Sequence, residues 1–422
     1  MKRYEIYKDS GIQWVGEIPS HWDVVKTSYL FDDIGSGTTP NTNDDSLYDT
    51  DNGINWLQTG DLNDGHITKT SKKISQKAIE GNGTLRLYPI NSLVIALYGA
   101  TIGKVGVLDI ESTTNQACCV LPPSDKISTD FAYYIFLASK EALLNLASGG
   151  GQPNISQAII KNHRIPYPSY AEQQSIVSFL EDKVGQIDAT IAEKEQMLKE
   201  LKAYRYAIIS EAVTKGLDRN VEIRDSGIDK FPMIRSNWNT SKLKYIASIR
   251  SGSALPINNI KKDALYEVYG GNGCMGRTDE YNTESPAIII GRVGALCGNV
   301  HLIKTKKWVT DNALILNIKR DVTYEYLYYY LTAYDLNTLN SSNAQPLITG
   351  TKVLDVVTPM PSLNEQIMIA NYLDDKTSMI DETIDQITVQ IVELKSYKSS
   401  LITEAVTGKI DLREWKPKVE NV

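Results

Sequence analysis

The sequence predicts an α+β fold: two irregular mixed α/β globules separated by two long coiled-coil helices, arranged as an internal repeat. Three observations carry this expectation. A stretch of helical period runs over residues 172–213 with Gly185 as its one glycine and no proline, and it is written again over residues 365–406. Sliding one copy onto the other by 193 positions pairs residues 166–218 with 359–411 without a gap, and 23 of the 53 pairs are identical. Ahead of each copy lies a segment of short apolar runs broken by Gly, Asn, Asp and Pro, the composition of short strands and loops.

In chain order this gives a first globule over residues 1–166, the first long helix over 167–218, a second globule over 219–358, and the second long helix with a C-terminal tail over 359–422. The first globule opens with DSGIQWVGEIPSHWDVVKTSYLFDDIGSGTTP at 9–40, echoed by DSGIDKFPMIRSNWNTSKLKYIASIRSGSALP at 225–256. The two share DSGI, the pattern of Ile18, Ser20 and Trp22 against Ile234, Ser236 and Trp238, and a Ser-Gly near the end. Each Trp is expected to anchor this opening segment in a core. Residues 54–57, 92–97, 103–108 and 117–121 read as strands, and 131–147 has a helical period that ends at SGGGQPNIS, 148–156. Residues 38–52 and 63–77 read as long polar loops, which in a compact domain carry function or are disordered.

The second globule keeps the theme and is shorter. YGGNGCMG at 269–276 is a Gly-rich turn, and 287–290 is a buried-strand candidate leading into GRVGALCGNV, 291–300. That segment echoes GATIGKV at 99–105 by placing Gly-x-x-x-Gly ahead of a short strand. The helical run 324–334 is the partner of the one beginning at Phe131, and Gln345-Pro346 of Gln152-Pro153, although Asn343-Ala344 stands where Gly-Gly precedes the first Gln-Pro.

Counted in alternating steps of four and three, each long helix carries an apolar seam. In the first it runs through Leu180, Val184, Ile187, Ile191, Lys194, Leu198, Leu201, Arg205, Ile208 and Ala212. In the second it runs through Leu373, Thr377, Ile380, Ile384, Ile387, Ile391, Leu394, Lys398, Leu401 and Ala405. A helix of about 40 residues is a rod of roughly 60 Å, and rows of aliphatic side chains do not stay in water, so each seam is expected to bury the other. The helix ends are apolar on more than one face, at Tyr204, Ala207, Ile208, Ile209 and Val213 and at Ile367, Met368, Ile369, Tyr372, Leu401, Ile402 and Val406. The excess is suited either to docking partner helices or to packing against the chain's own globules.

Composition narrows the function. The start MKRYEIYKDSG has no apolar signal core and no run approaches 18 apolar residues, so neither secretion nor membrane spanning is expected. Four cysteines (Cys118, Cys119, Cys274, Cys297) without metal-ligand spacing, and four scattered histidines, fit reduced thiols in a cytoplasm and no metal site. The net charge of −7 is unevenly spread: the globules carry −4 and +4, the helical segments −3 and −4. GATIGKV has one residue too few between its glycines for a P-loop and Val105 where Ser or Thr belongs, and no nucleophile elbow, HExxH or methyltransferase tetrad is present. No catalytic residues are expected, which points to a binding protein.

DSGIQWVGEIPSHW, WLQTGDLNDG, LYGATIGKVGVL, TTNQACCVL, GGGQPNIS and IPYPSYAEQQSIVSFLEDK, with GRVGALCGNV, MPSLNEQ and ITEAVTGKIDL later on, resemble the specificity subunit of type I restriction-modification systems over nearly the whole chain. The resemblance implies two target recognition domains, each reading half of a bipartite double-stranded DNA sequence, with the two long helices packed antiparallel as a ruler that fixes the unread spacer. A tandem repeat with antiparallel coiled-coil helices has a pseudo-two-fold axis. It also implies partners: two copies of an adenine methyltransferase (modification) subunit using S-adenosylmethionine, and restriction subunits with ATP-driven translocation and Mg2+-dependent nuclease activity. No cofactor is then expected in this chain. Direct base readout needs Arg, Lys, Asn or Gln. The candidates are Asn41 and Asn43 in the GTTPNTN loop, Lys69, Lys72, Lys73 and Lys77, and then Arg277, Arg292, Lys304, Lys306 and Lys307 in the second globule. A scaffold of two sensor globules on a coiled coil explains the repeat and the acidity equally well.

Overall fold

The computed structural model describes residues 2–49, 51–147, 153–218, 220–294, 296–340 and 346–416. Gln152, Gln345, Asn343, Ala344 and the first part of SGGGQPNIS lie outside the described residues. The chain divides into two compact units, Met1–Glu193 with Gln390–Val422, and Lys194–Val389. Each unit thus holds one globule, the start of the helix that follows it, and the end of the other long helix.

The long helices run over Tyr170–Lys215 and Leu363–Val406. Both start where a Ser-x-x-Glu pair, preceded by proline, supplies the missing first-turn partners. The Glu172 amide donates to Ser169 Oγ at 3.4 Å and the Ser169 hydroxyl to Glu172 Oε2 at 3.0 Å. The Glu365 amide donates to Ser362 Oγ at 3.4 Å and the Ser362 amide returns to Glu365 Oε2 at 3.0 Å. Beyond each C-terminus the chain turns through a left-handed glycine, Gly216 (φ +80°) and Gly408 (φ +71°).

Every position of both seams is buried or half-buried. In the first unit Lys398 Nζ donates to both carboxylate oxygens of Asp188 at 2.7 Å. In the second, Arg205 reaches Asp381 through Nε at 2.8 Å and a terminal nitrogen at 3.0 Å. The two pairs are the same contact displaced by one repeat. In each, a residue early in one helix meets a residue late in the other, so the helices are antiparallel within each unit.

The central sheet of the first globule has the order Cys118–Leu121, Leu93–Ala96, Val105–Leu108, Gly65–Ile67, antiparallel except for the last pair. That of the second has the order Ala247–Ser251, Ala313–Ile318, Ala287–Gly291, Val300–Ile303, antiparallel throughout. The inner strands are buried on both faces. Ile288, Ile290, Leu314 and Leu316 join one cluster, and Ala287, Ile289, Ala313 and Ile315 join another. A strand covered on both sides has no polar alternation, which is why these segments read as continuous apolar runs.

The hairpins at GATIGKV and GRVGALCGNV are matching connections, joining Leu93–Ala96 to Val105–Leu108 in the first globule and Ala287–Gly291 to the edge strand Val300–Ile303 in the second. Gly99 and Gly103 (φ +89° and +74°) match Gly294 and Gly298 (φ +85° and +91°), a backbone that side-chain-bearing residues rarely adopt. Each globule adds a small three-stranded sheet whose middle strand pairs antiparallel on one side and parallel on the other. The first is Lys73–Ile74, Ile54–Leu57, Thr113–Thr114, and the second Gly273–Thr278, Tyr266–Gly270, Trp308–Val309.

Two local expectations are corrected. The helical run at 131–147 is two helices, Thr129–Ala138 and Lys140–Asn145, broken at Ser139, and the apolar period continues across the break and so does not mark it. Residues 63–77 hold two strands, Gly65–Ile67 and Lys73–Ile74, too short to show a period.

Candidate nucleic-acid interface

Each globule carries a tip built on the small sheet, and a Ser-Gly dipeptide sets where the tip begins. At Gly37 an added Cβ would lie 1.7 Å from the Thr114 carbonyl oxygen, and at Gly252 2.2 Å from that of Thr310, so only glycine fits at either place. A tryptophan then fixes the next residue: Trp56 Nε1 donates to the Thr38 carbonyl at 3.2 Å and Trp308 Nε1 to the Ser253 carbonyl at 3.1 Å.

Past the first pin the chain folds over the edge strand Lys73–Ile74. The Asp49 amide donates to the Lys73 carbonyl at 3.4 Å, the Ser75 amide to the Leu47 carbonyl at 2.9 Å, and the Tyr48 hydroxyl to the Pro40 carbonyl at 3.0 Å. Lys77 Nζ donates to Ser46 Oγ at 2.7 Å and lies 3.9 Å from Asp44, while Lys73 Nζ reaches the Asp51 carbonyl at 3.0 Å. Lys69 and Lys72 are exposed, with no side-chain partner among the described residues. Asn41 and Asn43 are exposed too, and the Asn43 amide N–H closes a turn on Asn41 Oδ1 at 3.1 Å.

The second tip spends most of its positive charge internally. The Arg277 guanidinium donates to the carbonyls of Ala264 (2.6 Å) and Leu265 (3.0 Å) and lies 3.7 Å from Glu267. Lys307 is ion-paired with the same Glu267, its side chain 13% exposed. That hydrogen bond, with the charges of Lys307 and Arg277, outweighs partial burial and holds the Glu267 carboxyl below its ordinary range. Lys306 donates to the Tyr281 hydroxyl at 2.9 Å, sits 4.2 Å above the Tyr281 ring and lies 3.3 Å from Glu284. Arg292 reaches Ser251 Oγ at 3.4 Å, with its Nε buried. Lys304 is exposed. Selection led by charge misses Glu267, which gathers two of the candidates. It also passes over Asn258 and Asn259, exposed beyond the second pin, although Ser-Gly followed by Pro and Asn in both halves marks the place.

Of the seam residues, Leu180, Ile187, Ile191, Leu373, Ile380, Ile391 and Leu401 are buried, and Leu198, Leu201, Ile208, Ile384 and Leu394 are half-buried. The apolar excess at the helix ends divides in two. Ile209, Val213 and Ile369 enter the core of the second unit, and Ile402 and Val406 are buried in the first. Tyr204, Ile367, Met368 and Tyr372 stay exposed. Each unit has a groove at a helix end. One of about 590 Å³ is lined by Tyr204, Ile208, Glu211 and Tyr372, and one of about 630 Å³ by Tyr397, Leu401 and Glu404, the first three of the former displaced by one repeat. No helix among the described residues is long and apolar enough to cross a membrane.

Both halves match known proteins. The family model described as the type I restriction modification DNA specificity domain matches residues 19–203 and 235–393. The chain is 26% identical over 364 residues to the type I restriction enzyme EcoprrI specificity subunit of Escherichia coli, covering 82% of this chain and 84% of that one. It is 22% identical over 424 residues to the MjaVIII specificity subunit of Methanocaldococcus jannaschii, covering 94% of each. A chain solved in a study of complex assembly and conformational transition of the type I R-M system has the same fold, with a TM-score of 0.70 at 14% identity, covering 93% of this chain and 99% of that one. With the matched segments taking in both globules and most of both helices, the chain belongs to the type I restriction-modification DNA specificity family.

Proposed function

We propose that this chain is the DNA sequence-recognition subunit of a type I restriction-modification complex. Each globule reads one half of a bipartite, asymmetric target, and the chain directs partner subunits to methylate adenine or cleave DNA while catalysing no reaction itself. The observation that carries this is a framework whose helix starts, seam ion pairs and glycine and tryptophan pins recur in both halves beneath two unlike tips: reading two different half-sites requires the same mounting and different contact surfaces. The repeat-related grooves at Tyr204 and Tyr397 support two copies of one modification subunit as partners. S-adenosylmethionine, ATP and Mg2+ are then used by the modification and restriction subunits in the cytoplasm. A net charge of −7 leaves much of the phosphate neutralisation to those partners, so this chain alone binds DNA weakly. No comparison favours the scaffold reading.

The test is to co-express the chain with a type I modification subunit from the same genome and map methylated adenines across the host genome. One bipartite motif with two unlike halves and a fixed spacer is expected. A stable complex that methylates nothing, or a symmetric motif, contradicts the reading, and failure to form any complex returns the scaffold.

A further inference from the structure

The second globule has few free cations on its tip, since Arg277, Lys306 and Lys307 are all engaged within the protein. What it does offer lies beyond the Gly252 pin. Pro256 is followed by the one-turn segment Ile257–Asn259, closed by the Asn259 amide on the Pro256 carbonyl at 2.9 Å and the Ile260 amide on the Ile257 carbonyl at 3.1 Å. The Asn258 and Asn259 side chains are exposed and make no hydrogen bond among the described residues, and Ile257 between Pro256 and Asn258 is 81% exposed. The segment is held against the hairpin rather than dangling. The Lys261 and Arg277 backbones pair in both directions at 2.8 and 3.0 Å, and Lys261 Nζ reaches Asp279 at 2.5 Å.

The first globule repeats the arrangement. The Gly37 pin is followed by Pro40, then Asn41 and Asn43, with the Asp44 amide on the Asn41 carbonyl at 3.2 Å and the whole segment held to the edge strand beside it. In both halves, therefore, a glycine that admits no side chain and a tryptophan hydrogen bond deliver a proline and then two exposed carboxamides to the rim of the small sheet. Of these Asn41 alone is engaged, its Oδ1 accepting the Asn43 amide N–H and its amide nitrogen left to solvent. A primary amide offers one acceptor and two donors on a short, nearly rigid stem. That matches the N6 amino and N7 of adenine in the major groove, while an exposed aliphatic side chain next to it suits the thymine methyl.

We propose that Asn258 and Asn259 with Ile257 in one globule, and Asn41 and Asn43 in the other, are specificity-determining residues that each read an A·T pair in their own half-site. This rests on the reading of the chain as a DNA-recognition subunit. Lys69, Lys72 and Lys304 then supply phosphate contact rather than base choice.

The experiment uses the full complex with its modification subunit and compares methylated motifs for the unsubstituted chain, the double substitution N258A/N259A, and N41A/N43A. Each is expected to relax one A·T position in one half-site only, by about tenfold to a hundredfold in preference, with the other half and the spacer unchanged. N258Q is expected to restore part of the preference, since the same amide is presented one methylene further out. An unchanged motif overturns the proposal, as does relaxation at a G·C position or a uniform loss of methylation in both halves with the complex intact. If the unsubstituted chain yields no bipartite motif, the recognition-subunit reading itself fails, and that outcome is distinct from the others.

Discussion

Set side by side, the two units differ at their tips and agree where each globule meets its long helix. Trp22 and Trp238 are both buried, and each donates its indole N–H to the first-turn glutamate of the long helix, at 3.3 Å to Glu172 and 3.4 Å to Glu365. The neighbouring Gln173 and Gln366 each accept a backbone N–H (from Ser128 at 2.9 Å, from Thr323 at 2.8 Å) and donate to a proline carbonyl (Pro168 at 3.0 Å, Pro361 at 2.9 Å). Beyond the pins the tips share neither length nor charge pairing. A buried contact made twice tolerates little change in either copy, whereas a surface that must recognise something different in each copy is free to diverge.

The largest way to break this equivalence is to empty one tryptophan site. W22A is expected to cost about 3–5 kcal/mol in the first unit and W238A a similar amount in the second. Hydrogen exchange resolved by unit would report each loss in its own unit and little in the other.

Next comes a place where the buried frameworks themselves differ. His163 occupies the position that Val356 fills in the second unit: the Thr27 amide donates to the His163 carbonyl at 2.9 Å as the Leu243 amide does to that of Val356. Burial pushes the His163 imidazole down to about 4. Because the unfolded chain binds the proton more readily, stability present at neutral pH is lost as pH falls from about 6.5 to about 4, roughly 3 kcal/mol in all. The first unit is expected to weaken more over that window than the second, where partial burial lowers the His301 imidazole in the same direction. H163V should reduce the pH dependence of the first unit, measured as thermal midpoint at pH 7 and pH 4.5.

A smaller asymmetry lies at the helix starts. Glu172 accepts from Tyr4 (3.3 Å), His21 (2.9 Å), Trp22 and Ser169. Glu365 accepts from Ser362 and Trp238 and lies 3.6 Å from Arg235. Burial works against both carboxylates, but the hydrogen bonds to them prevail and both stay below the usual range. E172Q should cost about 2 kcal/mol and E365Q about 1 kcal/mol by denaturant unfolding. The smallest effect is expected at the seam. A double-mutant cycle on Arg205 and Asp381, a two-pronged and partly exposed pair, should give about 1 kcal/mol, and one on Lys398 and Asp188 about half as much.

The framework was legible in the sequence because its causes are local or periodic. A seam in steps of four and three needs only the order of residues, and Ser-x-x-Glu marks a helix start within one turn. Strands covered on both faces announce themselves as the apolar runs at residues 93–96 and 287–291. The tips were not legible to the same degree. Whether a lysine faces solvent or a carboxylate depends on residues far off in the chain, as with Lys307 and Glu267, 40 positions apart. The Ser139 break and the two-residue strand Lys73–Ile74 are fixed by packing that leaves no period behind.

The central claim, one half-site per globule on a shared mounting, is tested most directly by exchange. Replacing residues 219–358 with the equivalent segment of a relative, co-expressing the chimera with the modification subunit and mapping methylated adenines should give a motif that keeps one half and the spacer and takes a new second half. A motif in which both halves change, or neither does, would contradict the account.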